Sequence, residues 1–528
     1  MKRILLLAVM ASLPVPGAPR ALAAPPSDST PVQPFELDAG SMPSTPIDEH
    51  VQSALRRRGL DFARPCTDEV FVRRVFLDVI GTIPDPREVR AFLDNRTPGK
   101  RAALVDALLQ RDEFAEYASL RWCDALRVKA EFPINLWPNA VQAYHRWVRD
   151  ALKENLPYDR FARALLVASG SNFRDPPVNF WRAVQNRDPA GLAGAVALTF
   201  MGTRLEKWPA DRRAGMAAFF SRVAYKKTAE WKEEIVLLDP APAAAFDAAF
   251  PDGSVAVIPA DADPREVFAD WLVTPGNPWF ARAAANRVWC WLLGRGVVHE
   301  ADDLRPDNPP SVPGLLEHLA KDLVDAKWDL RALYRRILNS RTYQQSPIPR
   351  GDPAAAEATF GCYPVRRLDA EVLIDALDLV GGTGEGYTSN IPEPFTFLPE
   401  GQRTISLADG SITSPFLEMF GRPARDTGLA SERSDAPTDA QRLFLLNSSE
   451  ILRRVERSPR LAAAWTAARG DPAETVRQTF LSLLSRYPVE AEAKAALAYF
   501  RTAGRNGREA AFDLAWALLN SKEFLYRH

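Results

Sequence analysis

Asp302 and Asp303 stand side by side, two residues before Arg305, in a stretch that follows Gly294-Arg295-Gly296. Adjacent carboxylates are the material of general acid–base catalysis or of a divalent-cation site. They serve equally well to cap a helix or to pair with an arginine such as Arg305. Upstream, Asn286 and Arg287 lie among Trp279, Phe280, Trp289 and Trp291. An amide and a guanidinium so placed could grip a carboxylate, a sulfate or sugar hydroxyls; the plainer use is a buried arginine bonded to loop carbonyls and an aspartate. His299 has Asp302 as its suggestive neighbour, for a local hydrogen bond. Further on, Glu432-Arg433 and Asp369/Glu371 read as ion pairs joining an irregular segment to a helical body. The candidate ligand-binding set is therefore Asn286, Arg287, His299, Asp302, Asp303, Arg305, Glu432 and Arg433. None of these residues is assigned a catalytic role.

Several chemistries find no support. The five histidines form no HExxH, HxxEH or Cys/His cluster, so no metal site is expected. No GxSxG, Walker A or dinucleotide fingerprint is present, and one Gly-x-Gly is too little to imply phosphate binding. No cofactor is expected. The aromatics from Trp271 to Trp291 read mostly as core, with a sugar-stacking platform as the alternative. Cys66, Cys123, Cys290 and Cys362 are far apart, and two bridges among them allow three connectivities. Cys123 and Cys290, beside tryptophans on helical stretches, read as free buried thiols.

These residues need a frame, and its signals are overwhelmingly helical. Thr67 to Ile80 places Phe71, Val75 and Val79 on one stripe. Asp85-Pro86-Arg87-Glu88 reads as a helix start, with Asp at the cap, Pro in the first turn and Glu at the third position. The device recurs at Asp263-Pro264 and Asp471-Pro472. Ile235 to Leu238 and Val255 to Ile258 are the strand candidates. The fold expected is mainly α, with two packed helical domains and a small β element in the linker. Residues 1–23 read as a signal peptide, with Lys2 and Arg3 ahead of an apolar run and Ala21-Leu22-Ala23 as the cleavage site. Residues 24–44 form an extended lead-in, 45–239 the first domain, 240–262 the linker and 263–528 the second domain, with an irregular segment at 381–438. The net charge of −1 becomes −4 once Lys2, Arg3 and Arg20 leave with the leader, which gives no electrostatic footprint for nucleic acid. No later apolar run reaches the length of a membrane span. Export to the periplasm or the exterior is the location expected.

Several of these stretches are long enough to resemble a family. FVRRVFLDVIGTIPDPREVRAFL (71–93), KRAALVDALL and RWCDALRV (121–128) resemble the first domain of the PSCyt/PSD tandem, planctomycete-type secreted proteins built from two domains of unknown function. The stretch from ADWLVTPGNPWF through RRLDAEVLIDAL, FGRPARDT and ERSDAPTDAQ to WALLNSKEFLYRH resembles the second. The resemblance implies a helical, exported protein and carries no catalytic residue with it. It also implies, in many members, a Cys-x-x-Cys-His insert after a segment like Met201 to Glu206, and cysteines before Glu-Arg-Ser. Here Glu206 runs straight into Lys207-Trp208, and Gly428-Leu429-Ala430-Ser431 precedes Glu432. Both absences argue against a haem. The function favoured is a non-catalytic binding or assembly protein of the cell envelope, its partner an envelope protein or a glycan. The alternative is an envelope hydrolase acting on polysaccharide through Asp302, Asp303 or Glu432. A periplasmic electron carrier that has lost its haem site is the third reading.

Overall fold

The computed structural model describes residues 31–38, 42–130, 136–241, 244–391, 394–501 and 507–528. The expected leader and most of the lead-in lie outside these. Among the described residues the chain is mainly α, with 24 helices and 53% of residues helical against 6% in strands. The helices that position the site are numbered α1 to α6 in chain order. They are α1 (Asp68–Val79), α2 (Asp112–Ala125), α3 (Pro138–Lys153), α4 (Pro189–Met201), α5 (Phe280–Leu293) and α6 (Ala370–Gly381).

The helix starts follow their local chemistry. Thr67 caps α1 by accepting from Val70 N, and Asp188 caps α4 by accepting from Gly191 N, each filling a donor that the first turn leaves open. Asp85, Asp263 and Asp471 all cap helices, each followed by Pro. Helix α5 ends at Gly294, whose φ of +71° is left-handed; a Cβ there would fall 2.8 Å from Arg366 Cδ.

Among the described residues seven short strands make three small sheets. β1 (Gly170–Ser171) and β2 (Val223–Lys227) flank β3 (Glu234–Leu238), both antiparallel to it. β4 (Phe246–Ala249) and β5 (Val255–Ile258) form a hairpin. β6 (Arg366–Arg367) pairs with β7 (Tyr526–Arg527). The two expected strands are β3 and β5. Their partners β2 and β4 carry Lys226, Lys227 and alanines, too weak a strand pattern to read alone. No helix among the described residues is long and apolar enough to cross a membrane.

Among the described residues two apolar cores organise the helices. One gathers side chains from Ile47 to Tyr363, including Trp122, Trp181 and Trp289, and also takes in Ala408 and Leu481. The other gathers Leu368 to Phe524 with Leu77, Ile83, Tyr117 and Leu120. Helices α1 and α2 therefore serve both. Val75 and Trp122 face the first core, while Leu77, Tyr117 and Leu120 face the second. Five charged residues of these two helices, Arg73, Arg74, Asp78, Arg121 and Asp124, are carried into the seam between the cores.

Candidate functional site

Charges in such a seam lose water and must find one another or carbonyls, because an unpaired buried charge costs several kcal/mol. They do so through segments far apart in sequence. Asp78 accepts from the hydroxyls of Tyr343 and Tyr363, both at 2.8 Å, and pairs with Arg366 at 3.0 Å. Asp369, at the start of α6, pairs with Arg121 at 2.6 Å and Arg527 at 2.7 Å, and accepts from Tyr117 Oη at 2.9 Å. Arg433 bridges Asp124 at 2.8 Å and Glu371 at 2.7 Å, while Arg425 takes the other oxygen of Asp124 at 2.9 Å. Burial by itself would raise the Asp369 carboxyl, but Arg121, Arg527 and Arg433 outweigh it and hold it far below the carboxylate range. Glu371, against the same burial, is held down to about 2 by Arg433 and Arg422.

Helix α5 adds the next layer. Arg287 is 3% exposed. It donates to Thr199 O at 2.7 Å and Leu198 O at 3.1 Å, both from the end of α4, and pairs with Asp302 at 3.2 Å. The other oxygen of Asp302 accepts from Ala430 N at 2.5 Å, which fastens the irregular segment to α5. The indole near the guanidinium is Trp122, at 5.8 Å, not the neighbouring Trp291; Trp291 meets Trp122 edge to face. Asn286 is a clamp: its amide donates to Val298 O at 2.9 Å and accepts from Val298 N at 3.0 Å. That pair of hydrogen bonds holds the Gly294–Gly296 turn shut and so returns Asp302 toward Arg287.

A pocket of about 160 Å³ opens where these pieces meet. Arg121, Arg287, Arg366 and Arg433 face it, with Asp124, Asp302, Asp369 and Asp435, and Cys290 and Trp291 form its apolar wall. Burial, with Asp302 nearby, pushes the Cys290 thiol up to about 11. All four cysteines are free. Two buried guanidinium nitrogens of the lining, Arg121 Nε and Arg366 Nη1, have no acceptor among the described residues.

Of the residues expected from sequence, the pocket gathers Arg287, Asp302 and Arg433. The others lie elsewhere. Asp303 points away from Asp302 and is taken by Arg305 through two bonds, at 2.7 and 2.9 Å, and Arg305 also reaches Asp307. Successive side chains diverge at this turn, so the two carboxylates do not act as a pair. His299 stays exposed; its carbonyl accepts from Asn308, and no bond joins its ring to Asp302. Glu432 closes its own turn on Asp426 N, Thr427 N and Thr427 Oγ instead of bridging to the helices. Sequence reasoning left out Arg121, Asp124, Arg366 and Arg425, and saw Asp369 and Glu371 only as ion pairs. Their signal lay in the motifs themselves: RWCD, RRLDAE and FGRPARD each carry an arginine beside an acid.

The two places where the family resemblance led to an expectation of cysteines also meet. Glu206 and Leu429 line one open cleft of about 310 Å³, together with Arg127, Arg204 and Asp426. Among the described residues no group of three or more His, Cys, Asp or Glu is placed to hold a metal ion. No curated protein and no solved structure matches the chain significantly. Two family models do. Residues 46–206 match PSCyt2, a protein of unknown function (DUF1549), and residues 264–500 match PSD1, a protein of unknown function (DUF1553). The seam's partners come from both matched regions, and with the two models in tandem the chain belongs to the PSCyt/PSD family of domains of unknown function.

Proposed function

We propose that the protein is an exported, non-catalytic binding protein of the cell envelope whose ligand site is the arginine–carboxylate pocket. One observation carries this reading: four arginines converge on one pocket, and two of them keep a buried guanidinium nitrogen with no acceptor among the described residues. Asp369 and its neighbour Glu371 stay ionised to low pH, and the Cys290 thiol stays protonated to about 11. A general acid or base works best with a pKa near the working pH, and neither the carboxyl nor the thiol comes near neutrality. Arg121 Nε and Arg366 Nη1, lacking acceptors, favour an oxyanion. The volume of about 160 Å³ suits a small one, such as a sulfate, a phosphate or the carboxylate end of a sugar acid.

The export half of the proposal rests on the leader-like residues 1–23. The envelope partner, a protein or a glycan, follows from that location. The test is calorimetric titration of the full chain with sulfate, phosphate and glucuronate at constant ionic strength, beside a hydrolysis screen on acidic and sulfated polysaccharides. Saturable binding weakened by Arg121→Lys, without turnover, is expected. Hydrolysis that is lost in Asp302→Asn would overturn the reading in favour of a hydrolase. A haem absorbance band in the protein isolated from its native host would overturn it in favour of an electron carrier.

A further inference from the structure

Among the described residues most aromatic side chains pack inward, but Trp231 and its two neighbours do not. Trp137 precedes α3, Trp231 sits at the tip of the β2–β3 hairpin, and Phe395 lies in the irregular segment. These three rings converge at the surface, with centroids 4.8 to 5.4 Å apart and planes inclined at 63 to 69°. Trp231 is 59% exposed, unusual for the largest apolar side chain. The rings border an open cleft of about 560 Å³ whose floor is one stripe of α3: Asn139, Gln142 and Arg146. Spaced three and four residues apart, these side chains share a helical face.

Two features separate this corner from an incidental apolar patch. The first is that it is held rigid. Glu233, buried beneath the hairpin tip, accepts from Ser171 Oγ at 2.6 Å and Thr228 Oγ1 at 2.7 Å. Lys232, next to Trp231, is left-handed at φ +62°, and its carbonyl accepts from Asn172 Nδ2. The backbone of the tip is thus tied down beside Trp231. The second is the polar floor. Asn139, Gln142 and Arg146 show no hydrogen bond or ion pair among the described residues, in a chain whose other arginines are mostly paired. Lys232 Nζ stands 5.0 Å from the Trp137 ring and 5.7 Å from the Trp231 ring. Glu230, the carboxylate at the rim, is already taken by Arg174 at 2.9 Å.

We infer that this corner is a docking site for an acidic polysaccharide. Aromatic faces are electron-rich and pack against the slightly positive C–H faces of sugar rings. Free amides on the floor match hydroxyl groups, and the unpaired Arg146 with Lys232 supplies the cationic complement to uronate or sulfate groups. A protein partner would bring apolar side chains and would leave the amide floor unmatched; a neutral glycan would leave the two cations unmatched. The site does not rest on the arginine–carboxylate pocket, with which it shares no residue.

The test is affinity electrophoresis of the full chain through gels containing polygalacturonate, heparin or dextran, beside flotation with phosphatidylglycerol vesicles. Retardation by both acidic polymers and not by dextran is expected. Trp231→Ala should lower the affinity by roughly tenfold or more, as truncation of an aromatic anchor does. Arg146→Gln should lower it further at low salt than at high salt. Trp231 is exposed, so an unchanged melting temperature will show that the variant is folded. Should Trp231→Ala disturb folding, Gln142→Ala reads the same site. Absence of retardation, equal retardation of parent and Trp231→Ala, retention on dextran alone, or binding to vesicles without binding to glycan would each overturn the inference.

Discussion

Arg287 concentrates the economy of this seam in one side chain, since it spends its donors on two carbonyls at the end of α4 and on Asp302. Arg287→Met removes the charge and keeps the bulk, leaving Asp302 buried with Ala430 N as its remaining partner. The expected loss is about 3–5 kcal/mol, the usual penalty for stranding one member of a buried pair. Urea denaturation will measure it, and Arg287→Met with Asp302→Asn should recover part of the loss. His145 offers a second residue-scale test. Burial, then Arg425 and Arg149, push its pKa from 6.5 down to about 3. A depressed pKa means that the unfolded chain takes up the proton first. The stabilisation is complete above pH 6.5 and drains away as the pH falls toward 3. One such proton is worth about 1.4 kcal/mol per pH unit. Asp378, which burial lifts to about 7, works in the opposite direction, so the informative quantity is the difference between variant and parent. His145→Gln should reduce the fall in stability between pH 6.5 and 4.5 by about one proton's slope. Parallel curves for the two proteins would refute this.

At the scale of elements, one sequence device proves to have two different weights. Asp471 is exposed and does no more than cap its helix, accepting from Ala473 N at 2.9 Å. Asp263 caps in the same way but also holds the guanidinium of Arg265, which is 1% exposed, at 2.7 Å. Asp471→Ala should therefore cost about 1 kcal/mol, the ordinary price of a cap. Asp263→Ala should cost about 3–5 kcal/mol, because it also takes the carboxylate from a buried arginine and leaves it only the Ala168 carbonyl and the Ser169 hydroxyl. Equal shifts in melting temperature would show that the burial of Arg265 carries no weight. The irregular segment is held on the same terms: Asp302 takes Ala430 N, and Arg433 reaches Asp124 and Glu371. It keeps a fixed path with little regular structure of its own because its charges are tied to helices on either side.

For the whole molecule, the seam joins what the chain order separates. Arg74 on α1 donates to His528 O at 2.7 Å and Tyr343 O at 2.6 Å, and Arg73 reaches Leu483 O and Phe524 O. Arg527 pairs with Asp369, while β7 lies against β6. Leu77, Ile83, Tyr117 and Leu120 belong to the core built chiefly from residues after 368. Residues 31–262 and 263–528 produced as separate chains should consequently stay poorly folded, each exposing arginines and apolar side chains that the other covers. The joined chain should unfold in one cooperative transition. Native-like circular dichroism and sharp melting of either piece alone would contradict this.

The helices, their caps and the two strands β3 and β5 were legible in the sequence, because periodicity and capping are local and act within a few residues. So was the family, whose motifs are long. Arg287 could be read as a buried arginine bonded to loop carbonyls and an aspartate, since its aromatic neighbours place it against the core. What local pattern could not decide was direction: which of Asp302 and Asp303 turns inward depends on Asn286 holding Val298 twelve residues away. Nor could it decide that Arg121, Asp369 and Arg527 share one site, or that Trp137, Trp231 and Phe395 share one surface. Those meetings join residues from 94 to 406 positions apart, and the first exists because two apolar cores close on α1 and α2 and force the charges between them to find partners. Spacing along the chain carries no record of such contacts; only tertiary packing sets them.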